Sequence, residues 1–215
     1  SFFKGLELST PVNSGIFATT NPIIILLLSY LFLGEKVVKR KFFGIAMGFT
    51  GALILVLHGT EDTINAPDVL KGNVLLMINA VFFSGFIIVV KPLSEKYNVV
   101  TIMKWLFLIG FIMTFPVTVK EYSEVDWLKM PFDVIWRVSF VVLGTTFSTY
   151  LLNVFALRNL QASTVGAFAY AQPIIAISYA IYTENDSIDL LKGLACAIIL
   201  IGVYLVSKKP IKDRR

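Results

Sequence analysis

Two carboxamides each stand directly before a proline inside an apolar run: Asn21-Pro22 in "ATTNPIII" and Gln172-Pro173 in "AYAQPIIA". A carboxamide offers two N–H donors and an acceptor oxygen without carrying charge. A proline inside a helix leaves the carbonyl one turn earlier without its donor, here near Ala18 and Ala169. Such groups hold a small molecule where they line a cavity; where neighbouring helices satisfy them, the proline only sets a kink. Tyr170 lies just ahead of Gln172 and joins the candidates. Thr145, Thr149 and Asn153, flanked by Tyr150, recur at a spacing that puts them on one helix face, for substrate or for interhelical hydrogen bonds. Asn79 and Ser84 stand near Phe82, Phe83 and Phe86, which form either an aromatic wall for an amphipathic ligand or ordinary lipid-facing side chains. The candidate substrate-binding residues are thus Asn21, Gln172, Thr149, Asn153, Asn79 and Tyr170, with Pro22 and Pro173 as kinks.

Catalysis has little to work with. The chain has one histidine, His58, and one cysteine, Cys196. Neither a metal site nor a nucleophile–base pair can be assembled from them, no disulfide framework exists, and a lone cysteine in an apolar run is expected to pack. No catalytic residue, metal or cofactor is expected. The apolar runs carry no fixed positive charge near their centres, which favours neutral, zwitterionic or weakly amphipathic cargo over strongly anionic compounds. Nor does an acid stand there to carry a proton.

The elements that position these groups can be read from composition. Only 15% of the 215 residues are charged, 56% are hydrophobic, and the mean hydropathy is +0.77. A typical soluble domain is about 25% charged. Uncharged intervals cover 8–34, 42–60, 72–90, 105–119, 138–157, 159–183 and 193–207. Each approaches the ~20 apolar residues that cross a bilayer core as helix, and the two short ones extend past Lys104 and Lys192, whose side chains reach the interface. Seven spans are expected. The opening "SFFKGLEL" reads as the end of an eighth, the rest of which is expected ahead of Ser1. It lacks the pattern of a signal peptide.

Between the runs the sign of the charge alternates: +3 over 35–41, −2 over 58–71, +2 over 91–104, −1 over 120–137, +1 at Arg158, −2 over 184–192 and +4 over 208–215. Basic residues held on one side are the positive-inside pattern. The net charge of +5 therefore reflects topology and attraction to anionic lipid, and no nucleic-acid partner is expected. Segments 35–41, 91–104, 158–160 and the C-terminus are expected in the cytoplasm. Lys36, Lys39, Arg40 and Lys41 are read as topology determinants.

The chain also repeats itself. A shift of 151 residues, without a gap, sets Pro22 on Pro173, Gly15 on Gly166, Phe17-Ala18 on Phe168-Ala169, Ile23-Ile24 on Ile174-Ile175, Lys41 on Lys192 and Gly51 on Gly202. Leu6 falls on Leu157, Ala46 on Ala197, Asn21 on Gln172 and Glu35 on Asp186. The charge pattern gives the two copies opposite orientations, as an odd number of helices per repeat requires. Inverted repeats are characteristic of secondary transporters that bind cargo near the bilayer midplane. Gly44, Gly48 and Gly51, with Gly202 in the second copy, form small-residue faces suited to close helix packing.

"GLELSTPVNSGIFATTNPIIILLLSYLFLGEKV" followed by "GIAMGFTGALIL" resembles the EamA family of the drug/metabolite transporter superfamily. "ALRNLQASTVGAFAYAQPIIAISYAIYTEND" followed by "GLACAIILIGVYLV" is similar to the same module, except that "TEN" at 183–185 replaces "LGE". The resemblance implies an all-α membrane protein, a polytopic helix bundle of two inverted EamA repeats with ten helices, of which seven and the end of an eighth lie here. Residues 1–60 would be the C-terminal part of the first repeat, 61–71 an external loop, 72–208 the second repeat and 209–215 a basic cytoplasmic tail. The implied function is movement of small metabolites or drug-like compounds, by efflux and alternating access, across the cell (inner) membrane. A non-transporting scaffold or sensor that keeps the fold is the alternative. The expected partners are a small-molecule substrate and the lipid bilayer, and homo-oligomerisation is left open.

Overall fold

The computed structural model describes residues 1–58, 67–125, 129–182 and 190–208. Every regular element among them is helical: α1 (Phe2–Leu8), α2 (Pro11–Leu33), α3 (Lys39–His58), α4 (Val69–Lys96), α5 (Val99–Glu124), α6 (Phe132–Ser139), α7 (Thr149–Asn159), α8 (Ala162–Ala167), α9 (Ala171–Tyr182) and α10 (Leu190–Ser207). A π-helical stretch, Phe140–Ser148, joins α6 to α7, and a 3-10 turn, Phe168–Tyr170, joins α8 to α9. Among the described residues, six stretches are long and apolar enough to cross a membrane: Asn13–Leu33, Lys39–Leu57, Val69–Lys96, Val99–Lys120, Phe132–Asn159 and Leu190–Ser207.

The remaining expected span, 162–183, is helical over its described residues 162–182 but interrupted, running through α8, the 3-10 turn and α9. Pro173 accounts for the break: it has no N–H to give the Ala169 carbonyl, and the turn ahead of it tightens to i→i+3 bonding. Pro22, its equivalent by sequence, sits inside the unbroken α2. There the Thr19 hydroxyl donates to the Ile16 carbonyl (2.7 Å) and the Thr20 hydroxyl to Phe17 (2.6 Å), tying the turn before the proline. The second copy has Tyr170 and Ala171 at those places, and neither can bond back in that way.

Helix ends reflect local chemistry. Thr10 caps α2, its side chain accepting from the Asn13 N–H at 3.1 Å, with Pro11 at the first helical position, where no donor is needed. Gly34 ends α2 at φ 63°, the left-handed region that favours glycine, and Glu35 N–H then donates to the Ser29 carbonyl at 3.1 Å. Asn98 caps α5 through Val100 N–H at 2.9 Å.

The chain forms two compact units, one built from residues 1–88 with the chain from Gln161 onward, the other from Val89–Leu160. The first has a core of Leu26, Ile45, Ala52, Leu55, Ala167, Tyr170, Ala195, Ile199 and Val206, with Cys196 packed against it. Its centre is the antiparallel pair α3 and α10. A Cβ on Gly44 would stand 2.7 Å from the Gly202 carbonyl oxygen, and one on Gly202 2.6 Å from that of Gly44. One on Gly51 would stand 2.8 Å from the Ala195 carbonyl oxygen. Only glycine permits backbones this close. The shift of 151 carries Gly44 to Ala195 and Gly51 to Gly202, so these two contacts exchange with each other. The α3–α10 interface is self-complementary in the manner of a twofold.

In the second unit, Phe107 stacks on Phe147 at 5.8 Å between centroids and meets Tyr150 edge-on at 6.2 Å. Lys91 Nζ donates to the Leu157 carbonyl at 2.8 Å and pairs with Glu95 at 2.6 Å. Within the π-helical stretch the Thr145 hydroxyl donates to Val141 (2.8 Å) and that of Ser148 to Leu143 (2.7 Å).

Candidate functional site

α2 and α8 cross antiparallel in the first unit. A Cβ on Gly166 would stand 2.8 Å from a terminal carbon of Ile25, so the missing side chain lets the two helices close. Asn21 stands four residues before Ile25, and Tyr170 four residues after Gly166. The Asn21 Oδ1 and the Tyr170 hydroxyl are both buried and have no hydrogen-bond partner among the described residues. Burying such an atom unpaired costs about 1–3 kcal/mol, so the fold maintains each against a penalty. The Ser84 hydroxyl, fully buried on α4, donates to the Asn21 carbonyl at 3.5 Å. That places two sequence candidates, Asn21 and Ser84, against each other beside Pro22.

The other candidates lie in several places. The Tyr170 ring lies directly over Gly48, so closely that a Cβ there would collide with it. Gln172 is exposed at the start of α9, after the 3-10 turn and before Pro173. Asn79 is half-buried, its side-chain amide donating to the Ser1 hydroxyl at 3.5 Å. Phe83 and Phe86 lie 6.2 Å apart while Phe82 points outward, 69% exposed. Thr149 and Asn153 belong to the second unit, on the first and second turns of α7, where Thr149 is exposed and Asn153 half-buried. Thr145 lies in the π-helical stretch, where i→i+5 bonding changes the angular step. The face it was expected to share with Thr149 and Asn153 is therefore turned at its start.

A second polar cluster was missed by the sequence reading. Glu35, just past α2, accepts a hydrogen bond from the Ala162 N–H at 2.7 Å, a longer one from the Ser163 N–H at 3.4 Å, and one from the Ser163 hydroxyl. Lys41 Nζ stands 3.5 Å from the same carboxylate and donates to Ser163 Oγ at 2.7 Å and to Gln161 Oε1. The Lys41 and Glu35 side chains are only 5% and 8% exposed. Within the basic segment 35–41 these two groups turn inward, while Arg40 closes the end of α10 by donating to the Leu205 (3.0 Å) and Lys208 carbonyls. At the other end of α2, the Ser9 hydroxyl donates to Asn73 Oδ1 (2.6 Å) and accepts from Asn13 Nδ2 (3.1 Å). One signal pointed to the Glu35–Lys41 cluster: Glu35 comes directly after a helix-ending glycine and precedes Lys41 by six positions within an otherwise basic segment.

A family model described as the EamA-like transporter family matches residues 1–57 and 70–208. The chain belongs to the EamA-like transporter family. With its apolar helices, that membership makes it a multi-pass membrane protein. Among its relatives, an uncharacterized transporter of Methanothermobacter thermautotrophicus is 24% identical over 95% of this chain, and the uncharacterized transporter YetK of Bacillus subtilis is 28% identical over 95%. The chain spans 59% and 63% of the length of these two relatives. A crystal structure sharing 19% identity superposes over 96% of this chain and 70% of its own, with a TM-score of 0.72, and shows the same fold. The EamA family and the names of these relatives point to transport rather than catalysis.

Proposed function

We propose that the chain is part of a membrane carrier for small neutral, zwitterionic or weakly amphipathic metabolites, working by alternating access and serving efflux from the cell. The cargo would meet Asn21 and the interrupted 162–182 segment. The observation that carries this reading is the pair of buried, unpartnered polar atoms, Asn21 Oδ1 and the Tyr170 hydroxyl, on two helices that cross at Gly166. A broken membrane helix beside polar groups is how many carriers build a midplane site, and orphaned polar atoms there are supplied with partners by cargo at a cost the fold has already met. Within the first unit the buried Lys41 is paired with Glu35, so it offers no free charge to hold an anion.

The proposed location is the cell membrane, and the charge pattern favours an orientation with the 35–41 segment and the C-terminus in the cytoplasm. The test is uptake by the full-length protein in liposomes, using a panel of radiolabelled amino acids, nucleosides and lipophilic amines. Saturable flux of at least one compound is expected, with Asn21→Ala and Gln172→Ala lowering flux at least about fivefold while folded yield stays unchanged, as loss of a hydrogen bond worth about 1 kcal/mol predicts. Flux and yield lost together would mean that these residues serve packing. No flux from folded protein would favour a scaffold or sensor.

A further inference from the structure

We propose that the basic end of the α3–α10 pair is a docking site for the phosphate headgroup of an anionic phospholipid, held by Lys36, Lys39, Arg40 and Lys208, with its acyl chains against Phe42, Phe43 and Tyr204. The proposal needs only that the chain is a membrane protein and is independent of transport. It starts from how charge is sorted within 35–41. Glu35, the one acid of that segment, turns inward to pair with Lys41, and both side chains are buried. Lys36 and Lys39 stay exposed and make no ion pair among the described residues. Arg40 donates to the Leu205 (3.0 Å) and Lys208 carbonyls, which brings the α2–α3 corner onto the end of α10 and sets the exposed Lys208 beside it. These two bonds satisfy carbonyls that a helix end leaves open and use only part of the five-donor guanidinium fork. The described residues of this end, 31–43, 161–165 and 203–208, hold no acid besides Glu35. Four cations therefore share a surface that no carboxylate neutralises.

Like charges gathered in this way repel, and a bound anion relieves the repulsion. What selects a lipid over a soluble anion is the apolar surface beside the cations. Phe42 and Phe43, 57% and 59% exposed, follow Arg40 within the first turn of α3, their rings edge to face at 5.9 Å. Tyr204, 62% exposed, stands one turn before Lys208, whose N–H donates to the Tyr204 carbonyl at 3.1 Å. Aromatic side chains next to cations at the end of an apolar helix suit the boundary between headgroups and acyl chains, and a soluble anion would leave those rings unused. A headgroup that reaches Lys36 and Lys39 on one side and Lys208 on the other would also bridge α3 to α10, beside the crossing of Gly44 with Gly202.

The test is native mass spectrometry of the full-length protein in a neutral detergent, titrated with dioleoylphosphatidylglycerol, which is anionic, or dioleoylphosphatidylcholine, which has no net charge. Each basic residue at an anionic surface contributes about fivefold to affinity, so the first phosphatidylglycerol is expected to bind at least about tenfold more tightly than phosphatidylcholine. Lys36→Gln with Lys39→Gln should weaken phosphatidylglycerol about 25-fold and leave phosphatidylcholine unchanged. Lys39→Gln alone, expected to weaken it about fivefold, keeps the site testable if the double change lowers yield. Lys104→Gln with Lys120→Gln removes as many exposed cations from α5 and should leave the first phosphatidylglycerol in place. Glycerol phosphate, the headgroup without its chains, should compete only far above the lipid's own concentration. Equal affinity for the two lipids overturns the proposal, and so does equal loss in the Lys104 and Lys120 control. Competition by glycerol phosphate at the lipid's concentration overturns it as well, by marking a site for a soluble phosphate.

Discussion

Tyr170 meets two demands at once. Its ring fills the space over Gly48 in the core, while its hydroxyl is buried without a partner among the described residues. Gly48→Ala would press a methyl group into that ring, and overpacking of this kind costs about 1–3 kcal/mol. A lower melting temperature in detergent is the expected result, with Tyr170→Leu partly restoring it. A double-mutant cycle showing no coupling would contradict the contact. Glu35 and Lys41 pose the corresponding test for charge. Removing either alone leaves an uncompensated buried charge, at about 3–5 kcal/mol, whereas replacing both with apolar residues is expected to cost less than the sum. Thermal unfolding of Glu35→Leu, Lys41→Met and the double variant reads this directly, and strict additivity would show that the pair does not interact.

At the scale of elements, the two prolines part ways. Pro22 is absorbed by the continuous α2, while Pro173 comes after a 3-10 turn. Pro173→Ala returns an N–H that can reach the Ala169 carbonyl, so an exchange-protected amide at residue 173 and an α-helical 168–170 are expected; Pro22→Ala should alter its own helix much less. Equal effects at the two prolines would contradict the assigned difference. The glycine contacts make a further prediction. Gly44→Leu and Gly202→Leu insert bulk into the same crossing from opposite sides, and both should abolish folded yield to a similar extent, read by size-exclusion chromatography. Much of this level was legible from the sequence: uncharged runs marked the spans, and the 3.6-residue geometry put Gly44, Gly48 and Gly51 near one face. The π-helical stretch at Phe140–Ser148 was not, because an i→i+5 turn differs from an α-turn by a shift in bonding that residue types there do not announce.

At the scale of the whole molecule, the exchange of the Gly44–Gly202 and Gly51–Ala195 contacts under one shift of numbering ties the sequence repeat to a physical interface. What the sequence concealed was pairing over long separation. Glu35 and Lys41 sit in a segment whose net +3 reads as a solvated, topology-setting face, and their partners Gln161, Ala162 and Ser163 arrive from 120 to 128 positions away. Nothing local marks such a pair as buried; the fold decides it. The candidate site was legible in part for the same reason. Asn21 and Tyr170 stood out as polar groups beside prolines, but that each ends with an unpartnered buried atom depends on the crossing of α2 with α8 and the ring's seat over Gly48. The central claim is carriage by alternating access, and trans-acceleration tests it most directly. Liposomes holding the full-length protein are preloaded with an unlabelled compound that gives saturable flux, and initial uptake of the labelled compound is compared with that of empty liposomes. A carrier whose site faces one side at a time should take up label faster into the preloaded liposomes. Uptake that is unaffected by preloading and rises linearly with concentration would contradict it.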